Sequence, residues 1–208
     1  MTESSPADSQ LVPCPLTSRQ GVLHPDERRL FRSSDPPVAA AKADDLDWAV
    51  INDRLIALGI VLPPVRPPIA NYRSCVVDQD VVYVSGHGPI VDGRAIAGKV
   101  GLDLTLGDAK NAARVTAINI LASLQDQIGD LDRIERILKV FGMVNAAPGF
   151  NQMPAVIDGC SDLLVEVFGE PGRHARSAIG VAELPSDIAV EIELIAKLKP
   201  GPTVFIPA

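Results

Sequence analysis

Aromatic residues are scarce, at 4% of the 208-residue chain with a single tryptophan. Single-stranded nucleic acid is bound by stacking aromatics set in a positive field. The formal net charge of −7 opposes such a field, so a general nucleic-acid or membrane-surface binder is disfavoured. The three cysteines, Cys14, Cys75 and Cys160, lie far apart without a C-x-x-C pair, which excludes a disulfide framework and suits a reducing, cytoplasmic setting. The three histidines, His24, His87 and His174, are equally scattered, and no metal-ligand spacing, dinucleotide fingerprint or nucleophile elbow is visible. No apolar run reaches the roughly 18 residues of a membrane span. The first ten residues, "MTESSPADSQ", lack the basic and apolar regions of a signal peptide.

What is present is aliphatic. Hydrophobic residues make up 47% of the chain, so the core is built from Val, Ile, Leu and Ala. Residues 1–45 differ from the rest: "SSPADSQ", "VPCPL" and "SSDPPVAAAKADD" are too poor in periodic apolar residues to offset their chain entropy. They read as a disordered or loosely docked tail, with "HPDERRLFR" (24–32) a solvated charged stretch. Residues 46–208 read as one domain.

Within that domain, "DLDWAVINDRLIALG" (45–59) predicts a helix with Leu46, Val50, Leu55 and Leu58 on one face, capped by Asp45 or Asp47 and ended by Gly59. "LPPVRPP" (62–68) forms a stiff linker. Two β-rich runs around "DQD" predict a hairpin within 71–90, and 93–101 a third short strand after the turn "VDG". Thr105 caps the longest helix, with Asp108 at its positive end, Leu106, Ala113, Ala117, Ile120, Leu121, Leu124 and Ile128 along its buried stripe, and Gly129 as its stop. A strand over 133–146, a helix over 152–170 closed by Gly169, and strands over 175–183 and 188–198 complete the order. Strands grouped before and after helices indicate an α+β fold, a mixed sheet with the two main helices on one face. The other, bare face needs a partner, for which a second copy of the chain serves.

The stretch "GRHARSAIGVAELP" (172–185) raises the functional question. Strand alternation puts Arg176 on one face with Ala178, Gly180 and Ala182, leaving room beside a fork that matches a carboxylate. A buried ion pair or a surface arginine is the alternative. On the last strand Glu191, Glu193 and Lys197 oppose an apolar face, and Glu191 or Glu193 could balance Arg176 or hold a water. "YVSGHGP" (83–89) ends a strand in glycines that admit a ligand to the backbone. His87 there reads as a hydrogen-bonded loop histidine, His174 as a surface group, and Cys160 as unreactive.

The segments "NY", "VVYVSGHGP", "ARSAIGVAELP" and "AVEIELIA" together resemble the reactive-intermediate deaminase (Rid, or YjgF-like) family, over residues 46–198. "GKVGLDLT" and "GCSDLLVEVFGEPGRHARSAIGVAELP" look like the branch labelled endoribonuclease L-PSP-like or RidA-like. The resemblance implies a chorismate-mutase-like fold and a homotrimer with clefts between subunits. It implies hydrolytic deamination of 2-imino acids or their enamine tautomers to 2-keto acids and ammonia, without metal or organic cofactor. By the same resemblance Arg176 grips the substrate carboxylate, Glu191 serves the hydrolytic water, and Tyr72, Ser85, Gly86 and His87 line the cleft. Three departures stand out: Ala178 replaces a familiar cysteine, "GCSDLL" replaces an Asn/Thr-containing helix stretch, and His87 stands where an amide is common. A non-catalytic trimer that binds carboxylate metabolites, and a ribonuclease, are the competing functions.

Overall fold

The computed structural model describes residues 51–200 apart from 66 and 69. The expectations for the 1–45 tail, for the caps Asp45 and Asp47, and for Leu46 and Val50 lie outside those residues.

Helix α1 (Ile51–Ala57) buries Ile51 and Leu55, whereas Leu58 is 37% exposed. The buried face therefore runs through Ile51 and not through Leu58 as the spacing predicted, because Gly59, at φ +66°, ends the helix and turns the chain away. Strands β1 (Cys75–Asp78) and β2 (Val81–His87) form the predicted hairpin, turning through Gln79 at φ +55°. The register of β2 shifts between Val84 and His87, a bulge that re-aims the side chains after it. The third strand is far shorter than 93–101. Only Arg94–Ala95 (β4) pairs, with Ile90–Val91 (β3), across an Asp92–Gly93 turn in which both residues have positive φ. Gly98 (φ +122°) and Gly101 (φ +92°) then break extended geometry, and only isolated bridges remain, from Ala97 to Ile188 and from Val100 to Leu104 and Ala146.

Helix α2 (Leu106–Ile128) starts at a capping box in which Thr105 and Asp108 each accept from the other's backbone N–H, and ends at Gly129. Its buried stripe matches the prediction except for Leu106, which is only partly buried. Strand β5 (Ile134–Asn145) and helix α3 (Met153–Phe168, closed by Gly169) follow as expected, then β6 (Ala175–Val181) and β7 (Val190–Leu198).

The sheet order is β1-β2-β7-β5-β6, with β5 and β6 parallel and the other pairs antiparallel. Helix α3 is the crossover that a parallel β5–β6 pair requires. Helices α2 and α3 cover one face, packing on Val82, Val140, Val144, Ile192 and Leu194, all essentially inaccessible or nearly so. Along the opposite face the register aligns Val76, Tyr83 and Ile195, then Phe141, Met143 and Ile179. Val76 is 49% exposed, Tyr83 46% and Ile179 42%. Among the described residues, no helix is long and apolar enough to cross a membrane.

Candidate functional site

Glu191 is placed by alternation on β7. Val190 and Ile192 are buried under the helices, so Glu191 and Glu193 point to the open face. Its carboxylate lies directly against Gly86 on the β2 bulge, where a Cβ would overlap Glu191 Oε1. A glycine there is what allows the acid to rest on the backbone. Burial, and then the like charge of Glu193, hold the Glu191 carboxyl above its ordinary value of 4.5. A raised pKa makes a carboxylate a stronger base toward a water.

Gly86 and Glu191 open on a cavity of about 660 Å³. Tyr72 and His87 also line it, as do Asn119 and Ser123 of α2 and the prolines Pro63, Pro64, Pro67 and Pro68. His87 Nδ1 lies 2.7 Å from the Ser85 carbonyl, which can only accept, so Nδ1 carries the proton. Its Nε2 lies 2.8 Å from Ser123 Oγ and accepts that hydroxyl's hydrogen when the ring is neutral. Burial lowers the pKa of His87 and favours the neutral form, with both ring nitrogens occupied. Asn119 donates to the carbonyls of Gly88 and Ile90 at 3.0 and 3.1 Å, fixing the loop that follows.

Ser85 is placed differently. Its hydroxyl donates to the Arg73 carbonyl at 2.7 Å and ties the approach to β1 onto β2; it does not line the cavity.

Arg176 is also elsewhere. On β6 it lies level with Val140, on the helix-covered face, while Glu191 lies level with Met143 on the open face with β5 between them. The two side chains do not meet within one chain. The predicted balance of Arg176 by Glu191 or Glu193 is therefore replaced by another acid. Arg176 Nη1 donates to Asp158 Oδ1 at 2.8 Å and to Ser161 Oγ at 3.1 Å, both on α3. The space expected beside it is partly filled as well, since Met153 reaches over Gly180. The side chain nevertheless keeps 24% of its surface exposed.

His174 is not a surface group. It is half-buried, its Nδ1 donates to the Gly172 carbonyl at 2.7 Å, and its Nε2 lies 3.1 Å from Ser161 Oγ. Cys160 is buried beside this cluster, its thiol pushed up to about 12 by burial, in accord with the unreactive reading. Sequence reading passed over Asn119, Ser123, Asp158 and Ser161. Asn119 and Ser123 stand four apart, and Asp158 and Ser161 three apart, but both helices carry other polar residues, such as Arg114, Asp126, Asp162 and Glu166, so spacing did not single them out.

The family described as "YjgF/chorismate mutase-like, putative endoribonuclease" matches residues 52–198. Protein TCP17 of Trypanosoma cruzi is 42% identical over 143 residues, covering 68% of this chain and 89% of that protein. The crystal structure of Atu1372 from Agrobacterium tumefaciens, a protein of unknown function, is 41% identical with a TM-score of 0.67, over 72% of this chain and 94% of that one. A 2-iminobutanoate/2-iminopropanoate deaminase of Dermatophagoides farinae is 27% identical over 67% of this chain and 96% of that protein. With its profile spanning most of the chain and its α+β sheet in place, the chain belongs to the YjgF-like, or Rid, family.

Proposed function

We propose that the chain hydrolyses reactive 2-imino acids and their enamine tautomers to 2-keto acids and ammonia, at sites formed between copies of itself in a homotrimer. The observation that carries this reading is Glu191: a carboxylate of raised pKa, seated on Gly86 at the mouth of a cavity able to take a small metabolite. The deaminase of Dermatophagoides farinae lends support at 27% identity.

An imine carbon is already electrophilic, so the protein's task is placement. Arg176 holds the substrate carboxylate, and Glu191 takes a proton from a water as its oxygen bonds to C2. Starting from the protonated imine, the resulting amino alcohol receives that proton on nitrogen, its hydroxyl returns its own proton to Glu191, and ammonia leaves as the C–N bond breaks and the carbonyl forms. Water supplies the oxygen, and no oxidant or reductant enters. Because Arg176 and Glu191 lie on opposite faces of one sheet, Arg176 of one copy must complete the cavity of another. The half-exposed apolar residues Val76, Tyr83 and Ile179 on the open face offer a surface for that association.

The test feeds imine from a PLP-dependent threonine dehydratase and traps it with semicarbazide. The purified chain is expected to lower trapping, and Arg176→Ala to abolish the effect. Unchanged trapping at high protein concentration overturns the reading. In that event carboxylate binding without turnover is the remaining function, and 2-oxobutanoate binding that is lost in Arg176→Ala identifies it.

A further inference from the structure

The guanidinium of Arg176 has two edges on which a carboxylate can sit with two parallel hydrogen bonds: Nη1–Nη2 and Nε–Nη2. Nη1 carries two hydrogens, and both are used, one by Asp158 Oδ1 and one by Ser161 Oγ. Nε and Nη2 have no hydrogen-bond partner among the described residues, and neither is a buried unpaired atom. The Nη1–Nη2 edge is thereby closed, and the Nε–Nη2 edge is left without a partner on a side chain that keeps 24% of its surface exposed.

The direction of the Ser161 hydroxyl is set from its far side. The Gly172 carbonyl can only accept, so His174 Nδ1 bears the ring proton and Nε2 offers a lone pair. Ser161 donates to that lone pair and turns its own lone pairs to Arg176. Burial, followed by the charge of Arg176, keeps His174 below its usual pKa, which maintains the tautomer this chain of bonds needs. Arg176, Ser161, His174 and the Gly172 carbonyl thus form one directed series, with Asp158 as a second anchor.

We propose that Asp158 and Ser161 are positioning residues that occupy both hydrogens of Arg176 Nη1, so that a substrate carboxylate is received on the Nε–Nη2 edge alone. This rests on the carboxylate-binding role of Arg176 given above and adds which atoms perform it and what aims them. Ser161 does not line the cavity at Gly86 and Glu191, and its oxygen already receives Arg176, so Ser161 aims the arginine and does not attack substrate.

The experiment is guanidinium nitrogen NMR on the full chain, with Arg176 assigned by its loss in Arg176→Ala and with 2-oxobutanoate as probe. The wild type is expected to show separate Nη1 and Nη2 signals, and 2-oxobutanoate to move Nε and Nη2 while Nη1 stays. Ser161→Ala is expected to merge the two Nη signals, weaken 2-oxobutanoate about tenfold and raise KM for imine by a similar factor with kcat little changed. Ser161→Thr, which keeps the hydroxyl, is expected to restore all three. Averaged Nη signals in the wild type, a probe shift on Nη1, or unchanged spectra in folded Ser161→Ala overturn the proposal. Absence of imine turnover with the probe still on Nε and Nη2 defeats the proposed reaction and leaves this geometry standing. Imine turnover with averaged Nη signals does the reverse.

Discussion

A guanidinium held by an acid on the neighbouring helix α3 looks, at first sight, like a structural arginine. The distinction lies in atoms: one nitrogen is committed, two are not. Lysine is accordingly no substitute, because a point charge drawn to Asp158 has nothing left to offer a ligand. Arg176→Lys is expected to lose kcat/KM at least about tenfold, as Arg176→Ala does, given roughly 1.5–3 kcal/mol for each hydrogen bond to a charged group. At Gly86 a methyl would displace the Glu191 carboxylate, which can swing aside. Gly86→Ala should therefore reduce turnover while leaving the melting temperature within a few degrees of wild type. Glu191 must be ionised to take a proton from water. Since its pKa is raised, activity should fall on an acid limb above 4.5 as pH drops, and Glu191→Gln should remove the activity at all pH values. His87 and His174 act on stability with a definite sign. Both have folded pKa values below 6.5, so the unfolded chain takes up protons first, and stability present above 6.5 is lost as pH falls through the folded values. Thermal melts between pH 7 and 5 should show that decline. None of these partnerships was legible from spacing alone. Alternation correctly placed Arg176 with Ala178 and Gly180 on one face, but which helix residue would face it depends on how α3 crosses the sheet.

Elements with a strong local signal were legible. Helix α2 has a cap, a stripe and a stop encoded within its own residues, and β5 and α3 carry equally continuous patterns. The segment 93–101 was not, because its alternation of small and apolar residues suits a strand whereas Gly98 and Gly101 adopt conformations outside the β region. Helix α1 misled through phase: its buried face is chosen by packing on α3 and not by its own weak periodicity. The crossing of α2 and α3 depends on Gly159, where a Cβ would collide with the Lys110 carbonyl of α2's own backbone. Backbone cannot swing aside as a side chain can. Gly159→Ala is expected to destabilise by about 1–3 kcal/mol or more, read as a lower denaturant midpoint. Since Asp158 and Ser161 flank Gly159, the same variant should also disturb the Nη1 anchor.

For the whole molecule, the bare sheet face was legible and the division of the site was not. An alternating strand tells which face a residue occupies, yet the sequence carried no hint that Arg176 and Glu191 would stand on opposite faces with β5 between them. For the proposed reaction, that separation makes association a requirement. Sedimentation should find a trimer, and charging the open face with Ile179→Asp should dissociate it and abolish turnover together. The most direct measurement mixes two variants, Arg176→Ala and Glu191→Gln, each inactive alone, unfolds and refolds them together, and follows dehydratase-fed imine by semicarbazide trapping. If each site takes Arg176 from one copy and Glu191 from its neighbour, random assortment in a closed ring regenerates about a quarter of the native sites, and a corresponding share of activity returns. If the refolded mixture forms oligomers yet remains as inactive as its components, the account of a site shared between copies is wrong.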